Sequence, residues 1–375
     1  MSDAKEQLYG ARIRPAVRNV PYVSYATEGK MSREVLDLGE GDNPYGFDAE
    51  ILTGLSLKNP EIWAKYPHVQ QKIREDVIHR WKGTADLSDE MIHLSAGSID
   101  AITTVFSLLD PRSGAVLGVI PQFSEAITAA RAAGFTYQGI PLQKEQRYRI
   151  PVDALVDAMS DSICVLHLEN PHNPTGQTLN TQDLRRLLER ARETGSYVLV
   201  DEAFGDYVDP AHSAVPLLSS YDNLLITRTF SKGWGFAGAR AGYLLLPETL
   251  FHQAQKLSNP YRIPGPVGEV LHALLQSDAH LQNSRVRIRG TKKRLMQQMK
   301  GPLTAACTHP DVPILLVCAT DPAVLLAPVF LSEKIRVIGG ENYHGLDPSC
   351  ARLRVPAETE EARLLDALAR IQKKL

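Results

Sequence analysis

Between residues 116 and 246, short and almost wholly apolar runs alternate with stretches of helical spacing. Runs at 116–120, 136–140, 163–168 (ICVLHL), 197–200, 223–227 and 242–246 read as strands, and 124–133, 152–159 and 181–194 as helices. A strand that is apolar on both faces has to be covered on both. Intervening helices carry the chain back, so successive strands can run parallel. The expected architecture is α/β: a large domain with a mostly parallel sheet sandwiched by helices. After about residue 266 the pattern changes. Residues 267–299 read as one nearly continuous helix that could bridge two lobes. A strand at 314–318, a helix at 322–331, strands at 335–338 and 351–355 and a last helix from near Thr359 follow. Those elements make a smaller α+β domain. Residues 1–40 hold no long element and are expected to pack onto it, so the division expected is 41–280 for the large domain and 1–40 with 281–375 for the small one.

The 375 residues suffice for two such lobes. A formal net charge of -2 with scattered basic residues gives no sign of a nucleic-acid or anionic-membrane partner. The densest basic cluster, Arg285, Arg287, Arg289, Lys292, Lys293 and Arg294, reads as a solvated helix face. No run approaches the roughly 18 apolar residues a membrane helix needs. The opening MSDAKEQLYGARIRP lacks a signal-type apolar stretch, so a cytoplasmic location is expected. Cys164, Cys307, Cys318 and Cys350 form no CxxC pair and no zinc spacing, and Cys164 and Cys318 read as buried, inert thiols. That usage fits a reducing compartment without a disulfide framework.

Three segments carry chemistry, each directly after a strand, where α/β sheets bind ligands. Thr229-Phe230-Ser231-Lys232-Gly233-Trp234-Gly235, with Arg240 beyond, combines hydroxyls, a lysine and an arginine: an anion site beside a reactive amine. A glycine-rich turn with a surface lysine is the plain alternative. Asn170-Pro171-His172-Asn173-Pro174-Thr175-Gly176 forms a rigid turn able to aim an amide at a ligand. Asp201-Glu202-Ala203-Phe204 ends a strand on a carboxylate, either a helix cap or a ligand group, while Glu202 reads as solvated or structural.

In this order and spacing the three segments resemble fold type I pyridoxal 5'-phosphate (PLP) enzymes of the class I/II aminotransferase superfamily. The likeness is strongest to the histidinol-phosphate aminotransferase and threonine-phosphate decarboxylase branch. It runs from about Ile13 to the C-terminus and is supported by IRPAVRNVPY, Asp42-Asn43-Pro44-Tyr45-Gly46, Lys65-Tyr66-Pro67 and LRVPAETEEARLLDAL. The resemblance implies that Lys232 holds PLP as a Schiff base and shuttles the proton at the substrate α-carbon. Asp201 would pair with the pyridine nitrogen, Asn173 would bond the ring oxygen, and Phe123 would stack on the ring unless it is a plain core aromatic. Gly97, Ser98 and Ile99 would cradle the phosphate at a helix N-terminus, completed by Thr229, Ser231 and Arg240. Tyr66 would reach the phosphate of a neighbouring subunit, implying a homodimer. Arg354 would hold the substrate α-carboxylate, with Asn43 and Tyr45 also toward the substrate, and Arg352 reads as a surface or strand-edge charge. The partners implied are an amino substrate and a 2-oxo acid.

Two departures bear on the reaction. The aminotransferases of this branch carry tyrosine where this chain has Phe204, as the decarboxylase does not. Tyr207 reads as packing. Histidinol-phosphate aminotransferases also carry a phosphate-gripping arginine where this chain has Ile338, which cannot pair with a dianion. Arg336 shares its strand face but reads as exposed. Tyr343 and His344 are candidates for side-chain recognition, and His68 and His172 flank the expected site. The expected activity is a PLP-dependent aminotransferase acting on an amino acid or related amine other than histidinol phosphate. A decarboxylase or a replacement or cyclising enzyme is the alternative on the same residues, and a non-catalytic ligand-binding descendant is the alternative from another class.

Overall fold

The runs at 163–169, 224–229 and 242–245 become strands buried along their whole length, because helices cover both faces, whereas the edge strand at 137–141 is partly exposed. The computed structural model describes residues 13–21, 23, 24, 32 and 34–375. The expectation that residues 1–12 pack onto the small lobe lies outside the described residues. β1 (Leu36–Asp37) comes first, and then β2 (Ile92–Ser95), β3 (Ala115–Ile120), β4 (Tyr137–Pro141), β5 (Ile163–Glu169), β6 (Tyr197–Asp201), β7 (Leu224–Thr229) and β8 (Gly242–Leu245). Among the described residues β2 to β8 form one sheet in the order β2-β8-β7-β6-β5-β3-β4. Strands β3 to β7 pair in parallel, and β8 runs antiparallel to both of its neighbours.

Local chemistry places the flanking helices. In Thr181–Glu193, Leu184, Leu187, Leu188 and Ala191 make one buried stripe, and the Asn180 side chain caps the first turn by accepting from the Asp183 N–H at 2.8 Å. Helix Ser124–Ala133 stops at Gly134, whose φ of 109° suits the left-handed cap. Parallel pairing brings the ends of β5, β6 and β7 to one edge, where their last residues are Glu169, Asp201 and Thr229.

The small lobe holds β9 (Leu303–Ala305), β10 (Ile314–Ala319), β11 (Ile335–Arg336), β12 (Ile338–Gly339) and β13 (Cys350–Arg354). Strands β12-β13-β10-β9 form an antiparallel sheet, and β1 pairs with β11. Leu36, Leu38, Leu315, Val317, Leu353, Leu364 and Leu368 share one core, so residues 36–38 pack here, whereas the helix Pro15–Arg18 packs against the large-domain helix Ser124–Ala133.

Several expectations are corrected. The stretch 267–299 is two helices, Gly265–Leu274 and Ala279–Gln298. The break falls at Ser277-Asp278, where the Ser277 hydroxyl accepts from the Ala279 N–H and Asp278 pairs with Arg80, both competing with helix bonding. The helix expected from 322 begins at Leu326, because Asp321 accepts from the Ala323 N–H at 2.9 Å and closes a turn first. The strand at 335–338 divides between two sheets.

The basic helix face is solvated as expected at Arg287, Arg289, Lys293 and Arg294, but not at Lys292. Arg287 meets Glu358, Arg289 meets Asp311 and Arg294 meets Glu361, while Lys292, 1% exposed, gives its ammonium to Thr308 and to the carbonyls of His309, Val312 and Ile314 within 2.9 Å. Cys318 is not a free thiol. It is bonded to Cys350, its registered partner across β10 and β13. A separation of 32 residues hid a pairing that only strand register creates.

Candidate active site

The turn after β7 presents Lys232 to a pocket at the carboxyl edge of the central sheet. The Tyr207 hydroxyl donates to the Lys232 carbonyl at 3.0 Å, and Asn43 Nδ2 donates to the Gly233 carbonyl at 2.7 Å, so the turn is pinned on both sides. Tyr207 also stacks on Phe204, as packing requires, and its hydroxyl is committed to this carbonyl. Loss of hydration brings the Lys232 ammonium down to about 8. The Arg352 guanidinium adds to that effect, and Asp42 and Glu40 oppose it. A fair share of neutral amine is therefore present near neutral pH.

Asp201, 3% exposed, lines the same pocket. Its Oδ1 accepts from the Thr227 hydroxyl at 2.7 Å and from the Ala203 N–H at 3.0 Å. Burial pushes its carboxyl up to about 6, against those two bonds and the charge of Lys232. Glu202 is buried and structural: its Oε2 lies 2.5 Å from Arg228, which also pairs with Asp206 at 2.6 Å.

Opposite the lysine is an anion cup. Ser98 opens an eleven-residue helix after Gly97, whose φ is 90°. A Cβ on Gly97 would come within 2.8 Å of Arg240, so glycine alone leaves that approach open. The Ser231 hydroxyl accepts from Arg240 Nη1 at 3.1 Å and from the Thr229 hydroxyl at 2.9 Å. Ser98, Ile99, Thr229, Ser231 and Arg240 all line the pocket, as do Phe123 and Asn173.

Three expected site residues stand elsewhere. Arg354 does not line the pocket: its Nε lies 3.0 Å from Asp42, and its Nη atoms donate to the carbonyls of Asp37 and Val355. Asn43 spends its amide on Gly233 and Ser284. Tyr45 lies beneath the Arg287 guanidinium, 3.7 Å from its ring centre, and burial pushes its phenol up to about 12. Tyr66, expected to serve a neighbouring subunit's pocket, is 76% exposed and stacks on Tyr261.

The residue underrated from sequence is Arg352. It is 1% exposed, its Nη1 donates to Asn173 Oδ1 at 3.2 Å, and its Nη2 donates to the Gly39 carbonyl. It is not a surface charge. Tyr343, a candidate for substrate recognition, donates instead to the same Asn173 Oδ1 at 3.2 Å. Arg336 is largely buried against Asp37 at 2.8 Å, not exposed, and Ile338 is a core residue. His172 is buried between Thr175 and the Pro121 carbonyl, and loss of hydration lowers it to about 4. Glu169, at the end of an apolar run, gave no motif signal, yet it too lines the pocket.

A partly neutral lysine, a buried carboxylate and an anion cup around one pocket define a PLP-dependent enzyme of fold type I. The chain belongs to the aminotransferase class I and II family, whose model matches residues 33–371. It is 27% identical to a histidinol-phosphate aminotransferase of Haloferax volcanii over 363 residues, 94% of this chain and 96% of that protein. Its fold is that of the histidinol-phosphate aminotransferase from Clostridium acetobutylicum, with a TM-score of 0.81 at 22% identity over 91% of this chain and 100% of that one. It is likewise similar to the L-threonine-O-3-phosphate decarboxylase from Porphyromonas gingivalis, with a TM-score of 0.74 at 17% identity over 90% of this chain and 100% of that one. The donor set fits PLP. The Gly97 approach and the hydroxyl-arginine cup suit a phosphate, and a buried acid and a low-pKa lysine face the same space.

Proposed function

We propose that this enzyme moves an amino group between an amino acid or related amine and a 2-oxo acid, with Lys232 as anchor and proton carrier. The meeting of Lys232, Asp201, Asn173 and the Arg240 cup in one pocket supports this reading. When bound, PLP supplies a carbonyl carbon and a ring that withdraws electrons. Asp201 would hold a proton at the ring nitrogen, and Asn173 would bond the ring oxygen. Phe123 would flank the ring, and Ser98, Ile99, Thr229, Ser231 and Arg240 would hold the phosphate. The Lys232 amine takes the proton from the substrate α-carbon. Arg352 takes the α-carboxylate, the role first given to Arg354, because it is the arginine of β13 that reaches Asn173 and acts on Lys232.

The substrate is not histidinol phosphate on this reading. Ile338 fills the place of the phosphate-gripping arginine and is packed in the core. The test is a spectral screen of the PLP-loaded enzyme against amino acids, histidinol phosphate included. Accumulation of pyridoxamine phosphate with an amino acid supports transamination, and rapid turnover of histidinol phosphate refutes the substrate reading. Phe204, whose ring lies 5.6 Å from Lys232 Nζ, favours a second reading, an α-decarboxylase. Carbon dioxide release without pyridoxamine phosphate would establish it.

The acting unit proposed is a homodimer. Trp63, 68% exposed, and the stacked Tyr66 and Tyr261 present aromatic surface that a second copy would cover. Mixing Lys232→Ala with Tyr66→Ala chains should restore activity, because the hybrid carries one complete pocket. No recovery would overturn the crossing role of Tyr66.

A further inference from the structure

The ladder between β3 and β5 ends at Leu117 and Leu166. The loops that continue these neighbouring strands therefore leave the sheet without shared backbone rungs, and they carry Phe123 and Asn173. The Glu169 side chain spans the gap. Glu169 Oε1 accepts from the Phe123 N–H at 2.6 Å, and Oε2 accepts from the Asn173 N–H at 2.8 Å. We propose that Glu169 is a positioning residue for the cofactor ring, one carboxyl splinting the backbones of the stacking residue and of the amide that meets the ring oxygen. This rests on the reading of the pocket as a PLP site.

The position is otherwise a poor one for a glutamate. It is 3% exposed, ends an apolar strand and is registered beside Asp201 on β6. Burial, with Asp201 adding to it, pushes the Glu169 carboxyl well up, and the backbone N–H bonds of Phe123 and Asn173 oppose that shift. Removing a carboxyl from water is compensated here by two short bonds, one from each loop. A core residue chosen for volume would make neither. The His172 ring adds a second tie, from the Asn173 loop to the Pro121 carbonyl at 3.0 Å. Asn173 is thus held at both ends, its backbone by Glu169 and its Oδ1 by Tyr343 and Arg352. An amide so held can donate to the ring oxygen without losing orientational entropy on binding. A donor at that oxygen favours its ionised form.

The experiment is reconstitution of the apoprotein with PLP for wild type, Glu169→Ala and Glu169→Gln, reading the PLP dissociation constant and the spectrum of the lysine-bound cofactor. Glutamine keeps the volume and one of the two acceptors. Glu169→Ala should weaken PLP binding about tenfold to a hundredfold, as the loss of two bonds implies, and shift absorbance from the visible band toward the near-ultraviolet one as the ring oxygen loses its donor. Glu169→Gln should fall between. A merely structural glutamate would lower the melting temperature and leave the band ratio of the folded fraction unchanged. Should Glu169→Ala fail to fold, Glu169→Gln decides. Wild-type affinity and band ratio in whichever variant folds overturn the proposal. Borohydride reduction of the wild type tests the reading beneath it separately: no adduct at Lys232 removes the PLP site, whereas an adduct with unaltered Glu169 variants removes only the splint.

Discussion

At the carboxyl edge of the central sheet each of β5, β6 and β7 ends on a polar residue that lines the pocket. On β13 of the small lobe two arginines share one face, and only Arg352 reaches Asn173. At the sheet edge, place in the sequence is nearly place in space: parallel strands end together, so a residue just after a strand lies at the site. On β13 the two candidates have the same charge, reach and facing. Arg352 stands opposite Leu316 and Ile338, within the sheet, while Arg354 stands opposite Ile314 beside the segment of Asp37 and Asp42. Neighbours, not the residue type, divide their roles.

The largest expected effect lies at the sheet edge. Lys232→Ala should lose roughly 10⁴-fold or more in turnover, since it removes both anchor and base, as single-turnover kinetics would show. A native rate would remove the sheet edge from the chemistry. Next comes the arginine pair. Arg352→Met should lower kcat/KM by about 10²–10³-fold, the loss of a charge-assisted bidentate contact, while Arg354→Met should stay within about tenfold and show mainly in the denaturation midpoint. The reverse ranking would invert the comparison.

A control on the small lobe away from the pocket is Lys292→Met. It leaves four oxygens, two of them buried, without this donor and should cost about 2–4 kcal/mol in urea unfolding, with kcat unaltered in the folded enzyme. A fall in kcat larger than threefold would show that this helix reports to the site. The smallest effect is on pH. In the apoprotein the capture of an aldehyde by Lys232 should rise with pH through about 8, since the neutral amine reacts and the folded protein favours it. Arg352→Met removes a neighbouring positive charge, so its profile should move to higher pH, and Arg354→Met should leave it in place. An unmoved profile in Arg352→Met would separate that arginine from the lysine.

Much of the large domain was legible because it depends on short stretches of chain. Strands β3 to β8 and helix Ser124–Ala133 fall where periodicity put them, within a residue or two. Lys232, Asp201, Asn173 and the Thr229–Arg240 cup lie in one pocket, each in a motif bound to its own strand. Legibility failed where partners are distant. Lys292 read as part of a solvated face because its acceptors, Thr308 and the carbonyls of His309, Val312 and Ile314, belong to another segment. Glu169 read as the tail of an apolar run because its two donors, on separate loops, are backbone groups.

Alternating apolar runs were enough for the α/β class, and the family resemblance of the three motifs after strands pointed to PLP and to Lys232 as the proposed central base. Those features are local: backbone sterics and side-chain periodicity act over a few residues and survive any arrangement of the rest. The choice of Arg352 over Arg354, the bond between Cys318 and Cys350 and the meeting of Tyr343 with Asn173 came only with packing. Strand register and the docking of one lobe on the other set which distant groups share a few cubic ångströms, and a one-residue slip would turn every one of these side chains to the opposite face of its sheet.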